Sequence, residues 1–336
     1  MKRLNLSFLV LLCSFIFFFI IFVFVIKINS AYNKLDLETE KFQKLNEEIQ
    51  SYLEYIKSID ENYKIAVYIK DLSKDFVIKI NSDKLIPSAS VVKVPIMAAV
   101  YYLVDKGELS LNDSLVYKKK HRCGGAGIIK RYSYGKRFKV RELVELMITI
   151  SDNVATHMLM EKIGIERLNK IFKDLGLKNT DVKRYVMDLY SRNKGLENYT
   201  TAEDIGILLE KIYKGELISK EVSSNMLSLL MKQKISDRIP KKLPEEVNVA
   251  HKTGLMRNVC HDVGIVFTKN GDFVICVLTE NMRSKFAKDI IAEISYKTYS
   301  LYGEVGNKDI EITNLESEVG IDESTNNSSW VDSGGN

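Results

Sequence analysis

The chain has few cysteines, and their spacing excludes a disulfide framework. Cys13 lies in an apolar N-terminal segment, which leaves Cys123, Cys260 and Cys276, an odd number without a C-x-x-C pair. The four histidines also lack the spacing of a zinc site. We therefore expect at most one disulfide bond, no metal site and no cofactor.

The sequence also lacks a basic stripe or patch. Its net charge is +5, and lysines are mixed with glutamates along the chain. This pattern is typical of a solvated surface and gives no indication of nucleic-acid binding. Internal repeats are absent too. The chain has 336 residues, of which 46% are hydrophobic, and this is enough for one large core plus additional segments.

The N-terminus contains a long apolar run. Lys2 and Arg3 precede an uncharged run over residues 4–26, which Lys27 closes. The run is long enough to span a bilayer, which requires about 20 apolar residues. A cleaved signal peptide is the alternative, but its apolar part would be shorter and no A-x-A-like site follows. We expect residues 1–27 to form a single-pass anchor in a bacterial cell membrane, with the rest of the chain extracytoplasmic because the positive flank stays in the cytoplasm.

Residues 28–60 have the composition of a helical stalk. The segment is rich in Glu and Lys, and its apolar residues follow an a/d heptad pattern. One interpretation is a coiled coil that joins two chains in a dimer. The other is a membrane-proximal helix whose second half packs on the following domain, and the shortness of the repeat favours it. The apolar positions are Leu35, Phe42, Leu45, Ile49, Tyr52, Ile56 and Ile59.

The order of predicted elements from residue 61 to residue 304 indicates an α+β domain with one antiparallel sheet and a helical region beside it. Strands are predicted at both ends of this domain and helices between them. Residues 305–336 are acidic and rich in Ser and Asn, so we expect a disordered tail. The predicted strands are 64–70, 75–81, 247–254 and 263–280 with a turn at Asn270-Gly271, and the predicted helices are 94–104, 140–162 with a break at S-D-N, 201–214 and 285–302.

Three short motifs indicate chemistry when they are taken together. Ser90-Val-Val-Lys93 is S-x-x-K, Ser151-Asp152-Asn153 is S-D-N, and Lys252-Thr253-Gly254 is K-T-G. Each motif alone is weak, but all three in this order resemble the serine β-lactamase and penicillin-binding protein superfamily, in its class A β-lactamase-like branch. The runs ELMITISDNVATHML and VAHKTG support the resemblance, which covers residues 62–302. It implies a five-stranded antiparallel sheet flanked by helices, with an all-helical subdomain.

The first motif pairs a nucleophile with a base. A serine hydroxyl needs a base to attack a carbonyl group. Lys93 lies one helical turn after Ser90 and on the same face. Burial lowers the pKa of an amine, so a neutral Lys93 could accept the proton of Ser90. This would explain why a lysine stands at the start of the apolar run VPIMAAVYYL.

The resemblance implies roles for the other motif residues. Ser151 relays a proton to the leaving nitrogen, and Asn153 holds Lys93 and the acyl-side amide of the substrate, whereas Asp152 is structural. Lys252 supplies positive charge, and Thr253 a hydroxyl donor, for a substrate carboxylate.

The same resemblance assigns the substrate-facing backbone and a second carboxylate ligand. Gly254 lets the substrate backbone approach the strand edge, and the backbone N–H groups of Ser90 and Leu255 form the oxyanion hole. The second basic ligand for the carboxylate falls at His261, and Arg257 is the alternative.

One part of the family pattern is not present. Class A β-lactamases carry a glutamate two residues after a loop arginine, and it activates the water that deacylates the enzyme. If Arg184 matches that arginine, the place of the glutamate is Val186, which cannot activate water. Asp188 is the nearest carboxylate and the candidate substitute, whereas Glu197 is expected near the exit of the loop.

Three functions are therefore considered. The first is a β-lactamase-like serine hydrolase that β-lactam antibiotics acylate at Ser90, with ring opening and slow hydrolysis, which would contribute to antibiotic resistance. The second is a D,D-carboxypeptidase, a penicillin-binding protein that acts on the D-Ala-D-Ala stems of peptidoglycan. The third is a non-catalytic penicillin-binding or cell-envelope interaction protein.

Overall fold

The computed structural model describes residues 6–302. Within its first helix, side chains are described at Phe15, Phe17 and residues 19–28 and from residue 35 onward. The predicted tail at 305–336 lies outside the described residues. In the part with described side chains, no helix combines the length and apolar character needed to cross a membrane. The anchor predicted for residues 1–27 extends beyond that part and stays a prediction.

The secondary structure is mixed. The helices are α1 Leu6–Ile59, α2 Lys93–Asp105, α3 Val140–Thr149, α4 Asn153–Ile163, α5 Ile165–Asp174, α6 Leu189–Asn193, α7 Ala202–Lys214, α8 Lys220–Met231 and α9 Ser284–Tyr302. The strands are β1 Lys64–Asp71, β2 Val77–Ile80, β3 Ile86–Pro87, β4 Ser114–Val116, β5 Arg137–Lys139, β6 Tyr199–Thr200, β7 Val249–Met256, β8 Val259–Val266 and β9 Phe273–Glu280.

Five strands form one antiparallel sheet in the order β2-β1-β9-β8-β7. This confirms the α+β prediction with a five-stranded sheet. The long hairpins β7–β8 and β8–β9 follow from consecutive alternating runs in the sequence. In the described sheet β7 is an edge strand, and this edge borders the site described below.

The strands β1, β8 and β9 supply side chains to two separate cores, because successive residues of a strand point to opposite faces. In β1, Ala66 and Tyr68 belong to the core on the helical side of the sheet. Val67 and Ile69 belong to the other core, which α1 and α9 cover. The sheet is therefore a central layer between helices.

The second half of α1 packs on the domain. Phe42, Leu45, Ile49 and Ile56 are buried in the core that α9 and the sheet share. Four positions of the heptad pattern are thus covered within the chain, and these positions have no apolar surface left for a second helix. A dimer through residues 28–60 stays a prediction.

The helix α2 lies at the centre of the helical region. All residues from Lys93 to Tyr101 are buried. A helix that is apolar on every side is typical of the interior of a large core. Its position fixes the direction of the chain that enters it, and this chain carries Ser90.

Candidate active site

Ser90 lies in a 3₁₀ turn, Ala89–Val92, that leads directly into α2. Ala89 has a φ of +45°, a conformation that residues with a side chain rarely adopt and that occurs most often at functional sites. Ser90 itself is half-buried and lines a cavity of about 500 Å³. The serine that was predicted as the nucleophile is therefore accessible and stands at the start of a buried helix.

Lys93 is fully buried. Its Nζ atom lies within hydrogen-bond distance of three oxygens: Ser151 Oγ at 2.9 Å, Ser151 O at 2.7 Å and Asn153 Oδ1 at 2.8 Å. Burial lowers the pKa of this amine well below its ordinary value; the positive charge of Lys252 lowers it further, and Asp152 opposes the shift. The lysine is thus held in place by polar partners and destabilised as a cation, which suits a base.

The S-D-N motif occupies the junction between α3 and α4. Ser151 has a φ of +58° and lines the cavity with Asn153. Asp152 caps α4 by accepting a hydrogen bond from Ala155 N at 2.9 Å. Its other oxygen accepts hydrogen bonds from the backbone N–H groups of residues 128 and 129. Asp152 therefore has the structural role that the sequence predicts for it.

The glycine-rich turn G-G-A-G at residues 124–127 packs against this motif. Asn153 Nδ2 donates to Gly124 O at 2.9 Å. A Cβ atom on Gly125 would lie 2.6 Å from Asn153 Nδ2, and one on Gly127 would lie 2.3 Å from the carboxyl group of Asp152. Both glycines have positive φ. The turn needs glycine because S-D-N leaves no space for a side chain there.

The K-T-G motif lies on the edge strand β7. Lys252 is fully buried, and its Nζ donates to Thr253 O at 2.9 Å. Burial lowers the pKa of Lys252 to about 7, Arg238 lowers it as well, and Asp262 opposes the shift. Thr253 lines the cavity.

Gly254 has a packing role that the sequence did not indicate. A Cβ atom at Gly254 would lie 3.2 Å from Val91 Cγ2 and 3.3 Å from Ala89 Cβ. Glycine therefore lets β7 pack closely on the turn that carries Ser90. The next residue on β7, Leu255, lines the cavity and is half exposed.

His261 is not placed as a carboxylate ligand. It is fully buried and does not line the cavity. Its Nε2 donates to Pro87 O at 2.8 Å, and its Nδ1 accepts from Thr279 N at 3.0 Å. Burial lowers its pKa to about 4. This geometry is inconsistent with the expected role, because both nitrogens are occupied by backbone groups that fasten the strand before Ser90.

Arg238 is a residue of the cavity that sequence reasoning missed. It is 2% exposed and lines the cavity, and its Nε donates to Cys260 Sγ at 3.2 Å. Its Nη1 lies 3.0 Å from Asp237 Oδ1, but the geometry is not that of a hydrogen bond, and Nη1 has no hydrogen-bond partner in the described part of the chain. The surrounding sequence SDRIP carries no motif, so only the fold identifies this arginine as a ligand for an anion.

The loop from Arg184 to Asn198 is closed at its base by buried polar contacts. Glu197 accepts from Arg184 and, at 2.8 Å, from Arg192. Asn198 Oδ1 accepts from the backbone N–H groups of Lys183 and Arg184 at 2.8 and 3.1 Å. Glu197 therefore lies at the exit of the loop, and its oxygens are engaged by two arginines.

Val186 lines the cavity, whereas Asp188 does not. Asp188 caps α6 by accepting from Ser191 N at 3.0 Å and from Ser191 Oγ at 2.7 Å. These hydrogen bonds hold the pKa of Asp188 below its ordinary value. The geometry is inconsistent with Asp188 as the base for deacylation. Its carboxylate is committed to the cap, and the lowered pKa makes it a weaker base.

Comparisons with known proteins agree with this geometry. Residues 44–302 match the model of the beta-lactamase enzyme family. The chain is 26% identical over 263 residues to Beta-lactamase VEB-1 of Pseudomonas aeruginosa, which covers 72% of this chain and 86% of that protein. It is 29% identical over 167 residues to D-alanyl-D-alanine carboxypeptidase DacF of Bacillus subtilis, which covers 47% of this chain and 40% of that protein.

One solved structure among those that resemble this fold is an acyl-enzyme. It is a leucine-to-glutamate mutant of PBP-A in complex with penicillin G, with a TM-score of 0.70 and 27% identity. The match covers 77% of this chain and 96% of that one. The fold thus has counterparts among proteins named as beta-lactamases and in a protein captured as an acyl-enzyme with penicillin G.

Proposed function

Because this chain belongs to the beta-lactamase enzyme family and is a serine β-lactamase-like hydrolase, we propose that it is of the class A type and that β-lactams acylate it at Ser90. The observation that carries the proposal is the buried amine of Lys93, which is fixed by Ser151 and Asn153 and lies one helical turn along the chain from the accessible Ser90. A cation would be unfavourable at this position, so the amine is suited to accept a proton.

The acylation step uses the three motifs together. The Oγ atom of Ser90 bonds to the β-lactam carbonyl carbon, and the ring C–N bond breaks. The proton of Ser90 passes to Lys93, and a proton reaches the ring nitrogen through Ser151, whose Oγ is 2.9 Å from Lys93 Nζ. Backbone N–H groups of Ser90 and Leu255 stabilise the oxyanion that develops on the carbonyl oxygen.

The carboxylate of the substrate binds at the β7 side of the cavity. Thr253 lines the cavity and supplies a hydroxyl group, and the adjacent Lys252, which is fully buried and does not line the cavity, supplies positive charge from within the protein. We assign the second cation to Arg238, because it lines the cavity and its Nη1 has no hydrogen-bond partner among the described residues. Charge-assisted hydrogen bonds from a guanidinium to a carboxylate are among the stronger polar contacts in proteins.

Hydrolysis of the acyl-enzyme is expected to be slow. Among the residues that line the cavity, the carboxylates are Glu197 and Asp237. Glu197 is paired with two arginines, and Asp237 with Lys288 at 2.6 Å, whereas the loop position facing the site is Val186. Both carboxylates are therefore committed to ion pairs, and neither is free to position a water at the acyl carbonyl group.

Slow deacylation also supports a second candidate, a D,D-carboxypeptidase that acts on D-Ala-D-Ala stems. The relative DacF is named as such a carboxypeptidase, and PBP-A was captured as an acyl-enzyme with penicillin G. Both candidates use the same acylation machinery. The non-catalytic candidate has no support from this site, because Ser90 and Ser151 line one cavity and Lys93 is hydrogen-bonded to Ser151 behind it.

A mass measurement distinguishes these functions. The full chain in detergent is mixed with penicillin G, and its intact mass is followed while ring opening is recorded, with Ser90→Ala as the control. We expect a long-lived adduct that the control lacks. Rapid ring opening without an adduct would contradict slow hydrolysis of the acyl-enzyme. The absence of both an adduct and turnover would contradict the proposal as a whole. Release of D-alanine from a D-Ala-D-Ala peptide then tests the carboxypeptidase.

The location in the membrane is a separate proposal. It is supported by the charge pattern around residues 4–26 and by the large apolar side chains at residues 19–26, all of which are exposed on α1. We expect the full chain to stay in the membrane pellet after alkaline extraction and to be degraded by protease added from outside. Release into the supernatant would contradict the anchor.

A further inference from the structure

Asp262 is a fully buried carboxylate on β8 that the proposed reaction does not use. Both of its oxygens lie 3.0 Å from His251 Nδ1. Oδ2 also accepts a hydrogen bond from Ile239 N at 3.1 Å, and Oδ1 accepts one from Val263 N at 3.1 Å. The carboxylate therefore has a complete set of donors from three separate segments.

Two of these segments carry a cation: one carries Arg238, which lines the cavity, and the other carries Lys252, which is fully buried next to Thr253 of the cavity wall. Ile239 directly follows Arg238, and His251 directly precedes Lys252 on β7. A Cβ atom at Gly264, opposite His251 in the register, would lie 2.6 Å from His251 Cβ. Glycine at this point of β8 therefore makes room for the imidazole that faces Asp262.

Every element packed against Asp262 contributes titratable groups. β7 contributes His251 and Lys252, and the segment before Ile239 contributes Arg238. On β8 and β9 the titratable groups are His261, Cys260 and Cys276, whose charged forms are all disfavoured by burial. Asp237, which directly precedes Arg238, lies 3.0 Å from Arg238 Nη1 and also pairs with Lys288 of α9. Asp262 is thus the fully buried carboxylate that opposes the burial of a charge on Lys252, whereas Asp237 is the nearer carboxylate to Arg238.

We propose that Asp262, oriented by His251, is a positioning residue that holds the segment carrying Arg238 at the cavity through Ile239 N and supplies the buried counter-charge for Lys252. The inference rests on the proposed function, in which Arg238 binds the substrate carboxylate and the buried charge of Lys252 attracts it. Two buried cations side by side would repel each other, and burial of an unpaired charge is costly. The carboxylate behind them makes the pair stable enough to receive an anion.

The electrostatic effect of Asp262 on Lys252 has a definite direction. Asp262 raises the pKa of Lys252, whereas burial and Arg238 lower it, and the resulting pKa is about 7. Removal of the charge of Asp262 should therefore lower the pKa of Lys252 further. Lys252 would then lose its proton at a lower pH, and acylation by an anionic substrate would decline at a lower pH.

The test compares Asp262→Asn with the unmodified full chain. We expect the concentration of penicillin G for half-maximal acylation to rise roughly tenfold, which corresponds to about 1.4 kcal/mol, with little change in the limiting acylation rate. The decline of acylation at high pH should move to lower pH. Penicillin G methyl ester is the control substrate, because it has no free carboxylate and should show neither effect.

A second variant separates positioning from charge. His251→Gln keeps the negative charge of Asp262 but removes the imidazole that orients it. This variant should weaken the binding of penicillin G but leave unchanged the pH at which acylation declines. If Asp262→Asn does not fold, as judged by its melting curve, an unchanged affinity in His251→Gln overturns the proposal.

A spectroscopic measurement keeps the inference apart from the proposed reaction. The titration of Lys252 is followed by NMR with lysine labelled at Cε, and Lys252→Arg identifies the signal. A lower pKa of Lys252 in Asp262→Asn is expected even if no substrate acylates the protein. An unchanged pKa in a folded variant overturns the inference, whereas absence of acylation in the unmodified chain overturns only the proposed function.

Discussion

Lys93 Nζ donates to Ser151 Oγ at 2.9 Å, although the two residues are 58 positions apart in the chain. This contact joins the start of α2 to the junction of α3 and α4, and Asn153 completes it. A buried lysine at the head of an apolar helix is therefore explained by its partners. Because Ser151 lines the cavity, the contact also connects the buried amine of Lys93 to the space in which a substrate would bind.

The first prediction concerns the base. Lys93→Arg keeps a cation at this position, but a guanidinium does not lose its proton. We expect acylation by penicillin G to fall roughly 100-fold or more, the usual contribution of a general base. The measurement is the rate of adduct formation by mass spectrometry.

Lys252→Arg is the matched control for Lys93→Arg. The pKa of Lys252 is about 7, so below this pH the lysine is charged and above it the charge is lost. Arginine at this position stays charged, so acylation should persist to higher pH than in the unmodified chain. Equal losses in the two variants would contradict the separate roles of the lysines.

The second prediction concerns deacylation. Val186→Glu places a carboxylate on the loop position that lines the cavity. We expect the penicillin G adduct to be released roughly 100-fold faster, within the range that general-base catalysis contributes. Val186→Gln has a similar size but no base, and its adduct should persist. Similar lifetimes in both variants would show that Val186 does not face the acyl carbonyl group.

Much of the fold and of the catalytic centre could be predicted from the sequence. Alternating runs predict strands because one face of a strand must differ from the other, and the three motifs are local in sequence. The interruption at S-D-N was predicted from its polar residues, and α3 indeed ends at Thr149 and α4 begins at Asn153. Ser90, Lys93 and Lys252 lie where these local patterns place them.

The residues that were missed are defined by tertiary contacts. Arg238 reaches the cavity because the turn after it is tied to β8 through Asp262, and no local pattern encodes that contact. His261 was expected at the cavity from its distance along the chain after Lys252. The register instead places it opposite Gly254, where it bonds to Pro87 O. Counting along a strand gives a position but not the partner of a side chain.

The third prediction concerns the carboxylate ligand. Arg238→Ala should weaken the binding of penicillin G by about 1.5–3 kcal/mol, the typical value for a hydrogen bond to a charged group. Arg257→Ala is the matched control, because Arg257 lines the same cavity but is exposed to solvent. The concentration dependence of acylation measures both. A larger effect at Arg257 would identify that arginine, and not Arg238, as the second ligand.

The fourth prediction concerns the glycine-rich turn. Gly127 has a φ of +109°, and a Cβ atom there would lie 2.3 Å from the carboxyl group of Asp152. Gly135 has a φ of +90°, but a Cβ atom there would have no neighbour within 4 Å. Both changes to alanine cause backbone strain, but only Gly127→Ala must also displace Asp152, which caps α4 and precedes Asn153.

We therefore expect the melting temperature to fall clearly further in Gly127→Ala than in Gly135→Ala. Acylation by penicillin G should also be slower in Gly127→Ala, because a shift of Asp152 moves Asn153 away from Lys93. Backbone strain of this kind costs roughly 1–3 kcal/mol, and the overlap with Asp152 adds to it. Equal losses of stability, with equal acylation rates, would show that the turn yields without disturbing the S-D-N motif.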